Sequence, residues 1–253
     1  LKALERVNEG FIDNDGSKYY LDTLCITNRQ ESTIWDMTKY KIDCSAGVEN
    51  SIAATKSFTA QMLCVLIVAL KLSKHKGRNI DEYLASLDKL PEVMKTTFEL
   101  RPKIKHLARL LYKQKCVVIT ADGISYSIAK EAALKIKETS YMNINATYLG
   151  EFMHGHVAVL NNKSALVYIS VNDISTSAVS NLEKIRKNYN PAMFIIGKHN
   201  DKIISNFNIS INCENEILQM FSNVIIIQLL ALEIARKLHR NIDKPKGLKK
   251  VVK

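Results

Sequence analysis

Lys115-Cys-Val-Val-Ile-Thr-Ala-Asp-Gly123, followed by a stretch that carries Glu131-Ala-Ala-Leu-Lys-Ile-Lys-Glu-Thr-Ser-Tyr141, decides how this chain is read. An apolar run that ends on a glycine and passes into a helical pattern reads as strand, turn and helix. On that helix Glu131, Lys135 and Glu138 stand at i, i+4 and i+7 and share one face. Two readings of the face are open: a solvated charge stripe, as on most exposed helices, or a cluster with chemistry. Gly150-Glu-Phe-Met-His-Gly-His156 follows. It sets a histidine pair in a glycine-containing loop, where reactive groups are commonly placed.

Outward from this stretch the alternation of strand and helix recurs. Residues 1–9 read as the tail of a helix, Asn14-Asp-Gly16 as a turn, and 21–27 as a buried strand. A short helix over 31–38 and a strand over 41–44 follow. Ser45-Ala-Gly47 turns into a long helix over 51–74, apolar all round in its middle, the pattern of a helix central to a core. Residues 80–91 and 92–112 pattern as amphipathic helices, with Pro91 and Pro102 as breaks or first-turn residues. After the strand 116–120 and the helix 125–138, the loop around His154 leads to a strand at 165–171. A helix at 177–188, strands at 192–196 and 208–212, a second long apolar helix at 216–238 and a basic tail at 244–253 complete the pattern. Apolar, non-alternating strands between helices predict an α/β fold whose parallel sheet is covered on both faces.

The chain also repeats itself. Thr23-Leu-Cys-Ile-Thr-Asn28 corresponds to Met193-Phe-Ile-Ile-Gly-Lys198, and Asp43-Cys44 to Asn212-Cys213. Each pair precedes a long apolar helix, and the tetrapeptide Arg78-Asn-Ile-Asp81 returns as Arg240-Asn-Ile-Asp243. Two copies of one unit with short insertions and deletions account for this. The strands at 116–120 and 165–171 have no counterparts in the first copy. The expectation is therefore a first unit truncated at its N-terminal side over 1–90, a second unit over 91–240 and a tail over 241–253.

Composition narrows the function classes. With 47% hydrophobic and 24% charged residues, the 253-residue chain is ordinary for a globular protein. Five cysteines, an odd number without CxxC spacing, read as buried thiols in a reducing cytosol and not as a disulfide framework or zinc site. No metal or cofactor is implied, because no His/Cys/carboxylate cluster has ligand spacing. The apolar runs 62–70 and 224–232 fall short of the roughly 20 residues needed to span a bilayer, so no membrane association is expected and a cytoplasmic location is. A net charge of +11 invites a nucleic-acid reading. The lysines are spread along every segment without an aromatic-rich basic strand, so no nucleic-acid partner is expected. A basic surface would also favour phosphorylated sugars.

EAALKIKETSY followed by GEFMHG resembles the catalytic helix and loop of the SIS (sugar isomerase) family. The resemblance extends to the isomerase half of glucosamine-6-phosphate synthases and to stand-alone SIS-type deaminases, and covers essentially the whole chain. It implies tandem flavodoxin-like units of three layers, αβα, that act at C1–C2 of a hexose 6-phosphate such as fructose 6-phosphate or glucosamine 6-phosphate. Moving a carbonyl between C1 and C2 needs a base, groups that stabilise the enediol oxygens, and help in opening the ring. The resemblance gives Glu138 as that base, Lys135 as the group assisting proton movement and Glu131 as the residue that orients Lys135. His154 matches the family histidine proposed for ring opening, contributed across a homodimer interface. His156 departs from the family's usual proline.

Ser51-Ile-Ala-Ala-Thr-Lys-Ser57 matches the turn that contacts the sugar phosphate, with Ala53, Ala54 and Thr55 as ligand neighbours. Free N–H groups at a helix start favour anions, and Glu49 just before it reads as a capping or supporting acid. Synthases typically have serine at the position of Ala54, so AATKSF tilts the reading towards a stand-alone deaminase or isomerase. The tail over 241–253 resembles the C-terminal segment that closes over the active site in this family, and in it Lys250 aligns with the lysine proposed to meet the sugar carbonyl. The alternative from another class is a non-catalytic SIS module that senses phosphosugars. It would need the phosphate site but not Lys135, Glu138 and His154 together.

Overall fold

The computed structural model of the chain describes residues 1–211 and 213–249. It divides into two compact units. The first comprises Leu1–Asn50 and Ala54–Ile80; the second comprises Ser51–Ala53 and the described residues from Asp81 onward.

The first unit opens with α1 (Lys2–Glu9) and an antiparallel hairpin of β1 (Phe11–Ile12) and β2 (Lys18–Tyr19). The hairpin closes at the Asn14-Asp-Gly16 turn, with Gly16 at φ 85. β3 (Leu24–Thr27), α2 (Thr33–Met37) and β4 (Tyr40–Asp43) follow, and β3 pairs with β4 in parallel. α3 (Lys56–His75) completes the unit. It begins five residues later than the sequence pattern suggests, because Glu49 caps it from outside. The Glu49 carboxylate accepts the backbone N–H groups of Thr55 (3.0 Å) and Ser57 (3.3 Å) and the Ser57 hydroxyl (2.6 Å). Within this unit α3 is not the core helix its composition suggests. Only Ser57, Thr59 and Leu70 are buried along it, and Val65, Ile67 and Leu72 are exposed. A two-stranded pair offers too narrow a surface to cover both sides of a 20-residue helix.

The second unit begins with α4 (Asp81–Glu99) and α5 (Arg101–Leu111). Pro91 does not end a helix here. α4 runs through it, Leu90 beside it is buried, and the break falls at Leu100, with Pro102 in the first turn of α5. Packing of α4 against the later helix α9 (Glu216–Lys237) outweighs the hydrogen bond a helix-interior proline forgoes. Then come β5 (Val117–Ala121), α6 (Ser125–Ser140), β6 (Ile144–Tyr148), α7 (Leu149–Phe152) and a 3-10 turn over His156–Val159. β7 (Ala165–Ser170), α8 (Thr176–Tyr189), β8 (Ala192–Gly197), β9 (Phe207–Ile209) and α9 complete it. β6 and α7 occupy a segment whose sequence reads as loop.

All five strands pair in parallel in the order β6-β5-β7-β8-β9. This is a doubly wound, flavodoxin-like sheet whose order reverses at β5 and β7. Successive side chains of a strand face opposite sides. Leu166 and Tyr168 of β7 and Met193 and Ile195 of β8 cluster with Phe152 of α7 and Leu182 of α8. α9 lies against β8, α6 against β5 and β7, and α5 against β9. The result is the three-layer αβα arrangement expected. The internal repeat reappears as structure in each unit taken by itself: a parallel strand pair, then a long apolar helix.

By length and composition alone, α3 and α9 could each cross a membrane, which the apolar runs in the sequence understate. Burial in the second unit accounts for the apolarity of α9, and the helix also carries buried polar residues. Its Asn223 side-chain amide donates to the Ser170 carbonyl at the end of β7 (2.8 Å), and Gln219 donates to Asn223 (2.9 Å). Gly197, at the end of β8 with φ 100, leaves room for that contact. A Cβ there would lie 1.9 Å from the Ser170 carbonyl oxygen and 2.7 Å from the Asn223 side chain. Gly197→Ala is therefore expected to destabilise the fold by about 2–3 kcal/mol, from overpacking and a strained φ together. The check is the urea midpoint of the variant, which should fall at an unchanged m-value.

Candidate active site

α6 enters at the point where the sheet order reverses. Its first residue, Ser125, accepts the backbone N–H of Val171, just past β7 (2.9 Å), through its hydroxyl. The Tyr168 hydroxyl donates to Asp122, just past β5 (3.1 Å). Burial pushes the Asp122 carboxyl upward, and the bond from Tyr168 opposes this. These contacts fix the direction in which α6 leaves the sheet.

Along α6, Ile128, Ala129, Ala132, Ala133 and Ile136 are buried, and so are Glu131 and Lys135. The solvated-stripe reading of the charged face is therefore overturned. The Lys135 side chain is 5% exposed, with Glu138 Oε1 at 2.5 Å and Glu131 Oε1 at 3.4 Å. Glu138 is the more open of the two carboxylates, its side chain 16% exposed against 9% for Glu131. Burial pushes the Glu131 carboxyl above its ordinary range, opposed by the Lys135 ammonium and reinforced by the Glu138 charge. Two carboxylates share one ammonium in a site largely closed to water. Such a group can hold one carboxylate ionised and move a proton at an adjacent ligand atom.

The remaining residues singled out in the sequence lie on other elements. His154 is exposed in the turn after α7, where its backbone N–H donates to the Glu151 carbonyl (3.0 Å). His156 lines a cavity of about 240 Å³ with Cys116, Asn143, Asn145 and Thr147 along the β5–β6 edge. Ala53 is buried and groups with the second unit, while Ala54 and Thr55 belong to the first. The Thr55 and Ser57 N–H groups at the start of α3 already bond the Glu49 carboxylate, so the helix start is not an open set of anion donors. Lys250 lies outside the described residues. Among those described, no group of three or more His, Cys, Asp or Glu is placed to hold a metal ion.

No pattern in the sequence marks Tyr141, the left-handed C-cap of α6 (φ 64). Its hydroxyl accepts the backbone N–H of Lys246, and the Arg240 guanidinium lies 5.0 Å from its ring centroid.

Comparison with known proteins identifies the family and the fold. The SIS domain profile matches residues 110–236, half of the chain. The chain belongs to the SIS domain family. Over 244 residues it is 32% identical to the glutamine–fructose-6-phosphate aminotransferase (isomerizing) of Buchnera aphidicola, covering 94% of this chain and 40% of that protein. It shares its fold with the C-terminal domain of the glucosamine-fructose-6-phosphate aminotransferase of Francisella tularensis (TM-score 0.82, 22% identity, 95% of this chain and 68% of that one). It also matches the glucosamine-6-phosphate deaminase of Thermotoga maritima (TM-score 0.69, 20% identity, 92% and 67%). The chain thus spans about 40% of the length of the curated relative it matches.

Proposed function

We propose that this chain is the isomerase part of an enzyme acting at C1–C2 of a hexose 6-phosphate, of the kind found in glucosamine-6-phosphate synthases. The observation that carries the reading is the buried group in which Lys135 contacts both Glu138 and Glu131. A phosphosugar sensor has no use for a buried ammonium shared by two carboxylates, and such a group is costly to bury unless its members pair. Glu138, the more open carboxylate, takes the proton from carbon. Lys135 holds it ionised and serves the neighbouring oxygen, and Glu131 orients Lys135. His154, exposed on its turn, assists ring opening from one protomer of a homodimer to the other. Ala53, Ala54 and Thr55 neighbour the sugar phosphate, and Lys250 meets the sugar carbonyl. The likeness of this chain to curated glutamine–fructose-6-phosphate aminotransferases (isomerizing) favours the isomerase half. AATKSF keeps the stand-alone deaminase as the second reading.

The deciding assay takes the full-length protein with fructose 6-phosphate, and separately with glucosamine 6-phosphate without glutamine. Conversion of fructose 6-phosphate to glucose 6-phosphate without ammonia release is the expected result. Ammonia and fructose 6-phosphate appearing at matched rates from the amino sugar would replace it with the deaminase. Tight sugar-phosphate binding without turnover in either assay would make the chain a sensor.

A further inference from the structure

The segment beyond α9 runs across the second unit as a strap with two separate anchorages. His239, at φ 52, turns the chain out of the helix. Past it, the Ile242 carbonyl accepts the Ser51 hydroxyl (3.3 Å) and the Asp243 carbonyl accepts the Ile52 backbone N–H (3.1 Å). Asn241 steadies the bend by accepting the Lys244 N–H (3.0 Å). At the other anchorage Tyr141 holds the strap by both ends of its side chain. Arg240 lies over its ring at 5.0 Å, and the Lys246 N–H donates to its hydroxyl at 2.5 Å.

Tyr141 itself sits in a conformation that a bulky residue adopts at a cost. Its φ of 64 and ψ of 16 lie in the left-handed region, where glycine or asparagine is the usual helix C-cap. Such a conformation persists only where surrounding contacts over-determine it, and it gathers at functional sites. Here the contacts are those with the strap. The residue follows Glu138 by three positions, and the strap it holds also bonds Ser51 and Ile52, which immediately precede Ala53.

We infer that Tyr141 is a positioning residue: it fastens the 240–246 strap to the end of α6 and thereby holds the Ser51–Ala53 turn in register with the Glu138 end of that helix. The inference rests on the reading under Proposed function for its effect on turnover, but not for the strap itself. Tyr141 acts through the strap and not on a reacting atom.

Tyr141→Gly and Tyr141→Phe in the full-length protein separate this role from a purely structural one. Glycine relieves the left-handed backbone and removes both the ring and the hydroxyl contact to the strap, so a mere C-cap would be held as well or better by it. With the strap role, amide hydrogen exchange of Lys246 and Ile52 speeds up by about tenfold or more in Tyr141→Gly, without a fall in the unfolding midpoint of the protein. Tyr141→Phe keeps the ring over Arg240 and loses only the hydroxyl, so Lys246 speeds up and Ile52 changes less. In turnover of fructose 6-phosphate, Tyr141→Gly raises KM about tenfold while kcat stays within about twofold, the signature of lost binding and not of lost chemistry. Unchanged exchange at Ile52 in the glycine variant overturns the inference. If the wild-type protein turns over no hexose 6-phosphate, the functional reading has failed, and exchange at Ile52 still decides the strap.

Discussion

Glu138→Gln in the full-length protein lowers turnover of a hexose 6-phosphate by about 100- to 10,000-fold and leaves sugar-phosphate affinity near that of the wild type. The magnitude is what a positioned general base contributes. The amide keeps the size of the side chain and can still accept a hydrogen bond from Lys135, 2.5 Å away in the wild type. Folding is therefore little disturbed, but the amide cannot take a proton. Single-turnover rates with bound substrate, read beside an equilibrium binding measurement, separate the two effects. A variant that turns over at close to the wild-type rate would remove Glu138 from the base role and pass it to Glu131.

Lys135→Met destabilises the second unit by about 3–5 kcal/mol at neutral pH, the cost of leaving a buried charge without its partner. The methionine fills the space of the lysine stem, so the loss reports charge and not a cavity. Two carboxylates, Glu131 and Glu138, are left facing one another without the ammonium between them. The effect has a pH signature. Burial already holds the Glu131 carboxyl above its ordinary 4.5. A carboxyl raised on folding contributes stability that is present below its unfolded value and is lost as pH rises through the folded value. Removing Lys135 takes away the one group pulling Glu131 downward, so the gap between variant and wild type widens from pH 5 to pH 8. Denaturant unfolding at the two pH values checks this. A stability difference near zero at pH 8 would mean that the three charges are solvated after all.

Much of this protein was legible before any tertiary structure. The apolar strand ending at Gly123 and the helix after it are local patterns, and they placed β5 and α6 to within two residues at each end. A short apolar run bounded by a turn glycine and a strong period-3.6 pattern need no distant partner to be read. The same holds for the repeat, whose two copies both fold as a parallel strand pair followed by a long helix. Pro91 went the other way. Its local rule favours a break, but the packing of α4 on α9, more than a hundred residues away in sequence, kept the helix whole. β6 was missed because an edge strand buries only part of its side chains. Asn145 and Thr147 therefore read as loop until β5 supplies their hydrogen bonds.

The site divides along the same line. Spacing alone put Glu131, Lys135 and Glu138 on one face of a helix, which follows from 3.6 residues per turn. Whether that face met water or protein was not in the spacing. The helix is exposed at Lys130, Leu134 and Lys137 and buried at Glu131 and Lys135, and only the packing of α6 on the sheet and α9 chose between the two. That choice turned a charge stripe worth little into a buried ammonium shared by two carboxylates. The left-handed turn at Tyr141 and its hold on the strap lay beyond the sequence altogether. Both depend on contacts between residues a hundred positions apart, which no local preference encodes.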